Sequence, residues 1–175
     1  MFCLMATGTQ VALEEYLSTV YEPDCDYVDG ELEDRNVGEF DHSDLQSEIL
    51  HYFRGRRREY SLRAVGEWRT RISPTRYRVP DVTLIREPFV KERVLTQPAY
   101  VCIEILSPED RWSRLNHKLN DYVKAGVENV WVIDPVERIA WTFDELGAHQ
   151  LNGTTLTTKD GNIALPLAEI FAELD

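Results

Sequence analysis

Residues 99–106 are almost continuously apolar, broken at one position by Glu104, and the run stops at Ser107-Pro108. Apolarity on both alternations over that length is the pattern of a strand buried on both faces. Val130-Trp131-Val132-Ile133 repeats it. Between the two runs, residues 111–125 set Leu115, Leu119, Tyr122 and Val123 at helical spacing, and Gly126 ends that helix. A strand, a helix and a strand in this order make one right-handed crossover, which predicts parallel pairing at the sheet centre. Upstream, Leu45, Ile49, Tyr52 and Phe53 mark one face of a helix running to about Arg58, and Ser43 with Gln46 has the spacing of a capping box at its start. Residues 61–65 and 67–73, split by Gly66, read as strands forming a meander with a third that carries Asp81, ahead of a polar excursion through 86–98. Nearer the N-terminus, Thr9 caps a short helix through Leu17, and Asp29-Gly30 supplies the positive φ of a tight hairpin between Tyr27-Val28 and Glu31-Leu32. Residues 139–143 and 148–151 extend the sheet by hairpins, and 165–174 form a short amphipathic helix. The sum is an α/β unit, a mixed sheet with helices on both faces, preceded by a helix and a hairpin.

Two acids stand out against this pattern. Asp81 follows Pro80 in the β-branched stretch of residues 78–85, which places it on a strand. Glu104 is the one acid of the apolar run, and burying a lone carboxylate costs several kcal/mol unless a cation, a metal or a proton compensates it. A salt bridge to an arginine would serve, and so would a site. Two carboxylates on neighbouring strands can hold a hard divalent cation, and the ammonium of Lys118 nearby could orient or deprotonate a bound water. That combination hydrolyses phosphodiesters. Serine nucleophile chemistry is disfavoured at Ser107, which lacks a glycine-flanked elbow, although its hydroxyl can bond a phosphate. The four histidines make no zinc motif. His42, just before Ser43, can contact a phosphate or order its loop, and Gln46 can bind a water of a metal shell or complete the capping box.

Pro80-Asp81 with Glu104-Ile105-Leu106-Ser107-Pro108, then Lys118, Tyr122, Gly126-Val127 and residues 130–135, resembles the Uma-two family of restriction-endonuclease-like proteins, within the PD-(D/E)xK nuclease superfamily. The resemblance extends through Leu13-Glu14-Glu15-Tyr16-Leu17, Tyr27-Val28-Asp29-Gly30-Glu31 and His42, and so covers most of the chain. It implies a restriction-endonuclease-like mixed sheet flanked by helices. It also implies a nuclease core in which Asp81 and Glu104 bind Mg²⁺ or Mn²⁺, helped by the Ile105 backbone carbonyl, with Glu31 a further acid near the metal. The lysine expected two residues after the glutamate is Leu106 here. The resemblance implies that Lys118, on the following helix, takes its place.

Composition changes this picture in one respect. A chain of 175 residues with 43% hydrophobic content can bury a proper core, so one domain is expected, with residues 1–8 disordered or loosely attached. No apolar stretch approaches a bilayer span, and three cysteines without ligand spacing suit reduced thiols in a cytoplasm. The net charge of −12, however, would repel a polyanion at long range. It is unevenly spread: residues 1–53 hold 1 basic and 13 acidic side chains, residues 54–93 hold 12 and 5, and residues 94–175 hold 6 and 13. Within the basic island, Arg54, Arg56, Arg57, Arg58, Arg69, Arg71, Arg76 and Arg78 can track phosphates, as can Arg111 and Arg114 beyond it; solvated arginines or a dimer contact are the alternative. The reading is a cytoplasmic, metal-dependent endonuclease acting on nucleic acid, DNA in the first instance, as a homodimer with no membrane association. Two others stay open: a catalytically silent module of the same fold that binds nucleic acid or a protein partner, and a metal-dependent hydrolase of small phosphate esters.

Overall fold

The computed structural model describes residues 10–35, 39–172 and 174, so Thr9, residues 1–8, and Glu173 in the expected C-terminal helix lie outside the described residues. In chain order the elements are α1 (Leu13–Ser18), β1 (Asp26–Val28), β2 (Glu31–Glu33), α2 (Phe40–Gly55), α3 (Arg57–Tyr60), β3 (Leu62–Gly66), β4 (Thr70–Ser73), β5 (Arg76–Arg78), β6 (Val82–Arg86), β7 (Val101–Ile105), α4 (Trp112–Lys124), β8 (Asn129–Asp134), β9 (Ile139–Asp144), β10 (Gly147–Gln150), β11 (Thr155–Thr157), β12 (Ala164–Pro166) and α5 (Leu167–Phe171).

The main sheet has the order β10-β9-β8-β7-β6-β3. Every neighbouring pair in it is antiparallel except β7 and β8, which are parallel and joined through α4, as the apolar runs predict. Alternation along each central strand feeds two cores. Val82, Leu84, Val101, Ile103, Ile105, Trp131 and Ile133 face α2, whose Leu45, Ile49, Tyr52 and Phe53 are buried there. Ile85, Cys102, Val130 and Val132 face α4, meeting Leu115, Leu119 and Tyr122. The mixed sheet flanked by helices is therefore present. Glu104 alternates with Ile103 and Ile105, so its side chain lies on the α4 side.

A second sheet, β2-β1-β5-β4, holds the hairpin on one edge. The expected meander is corrected here: β3 pairs with β6 in the main sheet, whereas β4 pairs with β5 in the small one. After Gly66 the chain turns at Glu67 (φ 49°) and leaves the main sheet, a change of partner that strand periodicity does not encode. It returns through Val79-Pro80-Asp81. Pro80 has no N–H for a ladder, and Asp81 is the bend residue between β5 and β6 rather than a strand residue.

Two helix boundaries also differ. α2 begins at Phe40, after Glu39, with no side-chain cap, so Ser43 lies inside it and the capping box is absent. Leu165 belongs to β12, paired with β11, which confines the last helix to Leu167–Phe171.

Candidate active site

Asp81 is held by contacts of its own and by the anchoring of the chain just before it. The Val79 N–H preceding it donates to Asp26 Oδ1 at 2.7 Å, which pins the crossing to β1. Gln46 Nε2, one turn along α2 from His42, donates to the Asp81 carbonyl at 2.8 Å. The carboxylate itself accepts the Ile105 N–H on Oδ2 at 2.8 Å, has His42 Nε2 3.3 Å from the same oxygen, and takes Arg35 Nη2 on Oδ1 at 2.6 Å. Burial alone would raise this acid. The His42 hydrogen bond and the charges of Arg35 and Lys118 outweigh it and hold the carboxyl well below its ordinary range.

Glu104 enters the same cavity from β7. Its Oε2 accepts from Lys118 Nζ at 2.7 Å and its Oε1 from the Tyr122 hydroxyl at 2.5 Å. Lys118 and Tyr122 are four residues apart on α4, which sets both side chains over one strand position. Burial pushes Glu104 up to about 7, against the pull of Lys118 and with the repulsion of Asp81. The Lys118 ammonium also donates to the Val79 carbonyl at 3.0 Å. Burial, the largest single influence, lowers its pKa, but Glu104, Asp26 and Asp81 together outweigh it and raise the pKa, so the group stays charged at neutral pH.

Asp81, Glu104, Ile105, Lys118, His42 and Ser107 line one cavity of about 60 Å³ together with Arg35, Asp110 and Arg114. Ser107 sits at the cavity wall with its N–H on Asp110 Oδ2 at 2.7 Å. Glu31 does not reach it: the residue is exposed at the start of β2, and Glu33, two residues on, points back to Arg78 at 2.5 Å. Arg35 is absent from the sequence reading, and Tyr122 is placed there on the apolar face of the helix rather than against Glu104. Arg35 carried a signal, being the one basic residue among 13 acids in the first 53.

The arginines divide. Arg78 is 3% exposed and spends its guanidinium on Asp26, Glu33 and Asp121. Arg69 is 8% exposed, bonded to Asp24 and to the carbonyls of Tyr16 and Thr19, and stacked 4.4 Å above the Tyr16 ring. Neither presents a face to phosphate, and for both that expectation is corrected. Arg76 bridges Asp29 and Asp121. Arg56 pairs with Glu169 and Arg57 with Glu87, while Arg54, Arg58 and Arg71 are exposed. Arg54 follows His42 by twelve helical residues, about 18 Å along α2, so the arginine run is remote from Asp81. Arg111, exposed ahead of α4, lines a wider cleft of about 780 Å³ with Arg76 and His117. That cleft shares Arg78, Asp110 and Arg114 with the acidic cavity, and Arg114 donates to the Asp34 carbonyl.

Asp81, Glu104 and the Ile105 carbonyl are an all-oxygen set, the donor chemistry a hard cation takes. No three of His, Cys, Asp and Glu converge on a metal-sized position among the described residues. Two protein carboxylates suffice for Mg²⁺, which keeps several waters and takes substrate phosphate for the remainder. The residues fit such an ion once Arg35 yields Asp81 Oδ1.

No curated protein matches the chain. A crystal structure described as "a putative nuclease belonging to DUF820", from Anabaena variabilis ATCC 29413, matches over 93% of this chain and 98% of that one, with TM-score 0.78 and 20% identity. At that identity the likeness is one of fold. A cryo-EM structure of a DrdV–DNA complex matches 61% of this chain and 10% of that one, with TM-score 0.42 and 14% identity. A family described as "Putative restriction endonuclease" matches residues 13–173, and the chain therefore belongs to this nuclease family, Uma2.

Proposed function

We propose that the chain is a divalent-metal-dependent endonuclease that hydrolyses phosphodiester bonds of DNA, acting as a single cytoplasmic domain that dimerises to cut both strands. The observation that carries this reading is the meeting of Asp81, Glu104 and Lys118 in one buried cavity, reached from two sheets and a helix. Asp81, Glu104 and the Ile105 carbonyl would hold Mg²⁺ or Mn²⁺, which when bound supplies positive charge at the phosphate and acidifies a water beside it.

The chain's own groups do the rest. His42, Gln46 and the Ile105 N–H keep Asp81 from turning, and Tyr122 keeps Glu104 from turning. Lys118 has three N–H donors, of which Glu104 and Val79 take two. A charged ammonium accepts no proton, so Lys118 serves by donating its third N–H to a water or a phosphate oxygen and by offsetting developing negative charge. Arg111 at the cleft supports a backbone contact, and Arg54, Arg58 and Arg71 would engage phosphates farther out.

Purified protein with Mn²⁺ is expected to nick plasmid DNA, and Asp81→Ala to abolish the nicking. Absence of cleavage of single- or double-stranded DNA or RNA under Mg²⁺ and Mn²⁺ would overturn the reading. One observation favours a second reading, a catalytically silent module: Arg35 and Lys118 already pair with both acids. Calorimetry separates the two, since a silent module has no saturable Mn²⁺ site lost in Glu104→Ala.

A further inference from the structure

Arg35 occupies the position a cation would take on Asp81. Its Nη2 lies 2.6 Å from Asp81 Oδ1 and its Nη1 lies 3.1 Å from Glu67 Oε1. The Arg35 side chain is 9% exposed and Glu67 is 55% exposed, so the guanidinium spans from the cavity floor to the solvent edge. The other oxygen of Asp81 is bound to Ile105 N–H and lies beside His42. Oδ1 is thus the oxygen an entering ion would contest with Arg35.

The charge balance makes this contest consequential. Arg35 and Lys118 together match the two carboxylates, and His42 adds a third basic group against Asp81. The other acids of this cavity of about 60 Å³ are Asp26, Asp34 and Asp110; Asp26 is already held by Arg78 and the Val79 N–H, and Asp110 by the Ser107 N–H, so two further positive charges call for a further anion. A phosphodiester brings one, and a guanidinium binds phosphate oxygens in the same forked geometry it uses for carboxylate.

We propose that Arg35 is a positioning residue that withholds Asp81 from a divalent ion until a phosphodiester arrives, the guanidinium then passing from Asp81 Oδ1 to the phosphate. This rests on the metal-site reading above. It makes metal and substrate bind with positive cooperativity, each tightening the other by the same factor. The charge of residue 35 sets the effect, so Arg35→Lys keeps it and Arg35→Gln removes it.

The test is calorimetric titration of Mn²⁺ into the full chain, alone and with a phosphorothioate oligonucleotide, with thermal melts to verify that each variant is folded. Arg35→Gln is expected to bind Mn²⁺ at least about tenfold more tightly than wild type without oligonucleotide, and Arg35→Lys to stay near wild type. The oligonucleotide is expected to tighten Mn²⁺ binding at least about tenfold in wild type and far less in Arg35→Gln. The inference is overturned if Arg35→Gln binds no more tightly, if Arg35→Lys gains as much, or if the oligonucleotide leaves wild type unchanged. Asp81→Ala separates this failure from that of the metal site. Mn²⁺ binding that survives Asp81→Ala sinks both readings, as does a complete absence of binding in every protein. Binding that needs Asp81 but ignores residue 35 sinks only this one.

Discussion

Glu104 and Asp81 are neighbouring carboxylates driven in opposite directions. Glu104 is buried against Tyr122 and Lys118 and rises to about 7, whereas Asp81 falls because His42, Arg35 and Lys118 outweigh its burial. The two therefore give opposite stability trends. Asp81 contributes stability at pH above its ordinary 3.8, and that contribution is lost as the pH falls. Glu104 retains its proton in the folded chain between its ordinary 4.5 and about 7, while the unfolded chain has released it. Raising the pH through that window costs the fold on the order of 3 kcal/mol. Glu104→Gln does not titrate, so in metal-free protein the difference in Tm, variant minus wild type, is expected to grow from pH 4.5 to 7 and level off above. A constant difference in scanning calorimetry would show that Glu104 ionises as an ordinary carboxylate. Glu104 was legible in the sequence because an acid inside a continuous apolar run has to be compensated. Arg69 and Arg78 were not, since an arginine in a polar stretch looks the same whether it meets solvent or a buried aspartate.

At the scale of elements, α2 is both core and scaffold. Its apolar face seats it on the main sheet, and His42 and Gln46, four residues apart, place a ring nitrogen beside the Asp81 carboxylate and a hydrogen bond on its carbonyl. The approach depends on Gly66 at the end of β3. A Cβ there would lie 3.1 Å from Leu50 Cδ1, 3.6 Å from Gln46 Nε2 and 3.7 Å from the Asp81 carbonyl. Gly66→Val is expected to cost about 1–3 kcal/mol by overpacking and to lower kcat by moving Gln46 off Asp81. Urea denaturation and steady-state kinetics check the two effects together. Periodicity found the central strands, α4 and the parallel pair, because each buries a repeating face. It could not assign β3 and β4 to different sheets, since a strand's pattern records which face is buried and not which edge it joins. The Ser43–Gln46 spacing misleads for a related reason: the helix has already begun at Phe40, Ser43 is exposed, and Gln46 turns inward to the Asp81 carbonyl.

For the molecule as a whole, much of the basic island is spent internally. Arg69 and Arg78 are buried in ion pairs, and Arg56, Arg57, Arg76 and Arg86 have carboxylate partners, so under the proposed function DNA would meet a chain of net charge −12 with these arginines already committed. Association is accordingly expected to depend on close contacts at the cleft. Arg111→Gln should lower the slope of log affinity against log salt by about 0.9, the share of one phosphate, in a fluorescence-anisotropy titration. An unchanged slope would remove Arg111 from the interface. Arg78 shows what the buried pairs do instead. It joins Asp26 of β1, Glu33 of β2 and Asp121 of α4, and sits three residues before Asp81 on the same chain that leads into the cavity, while α4 carries Lys118 three residues before Asp121. The small sheet and α4 are thus the two jaws of a caliper, and Arg78 is its locking screw. Loosening it would change the gap between the jaws while leaving every group on them chemically intact.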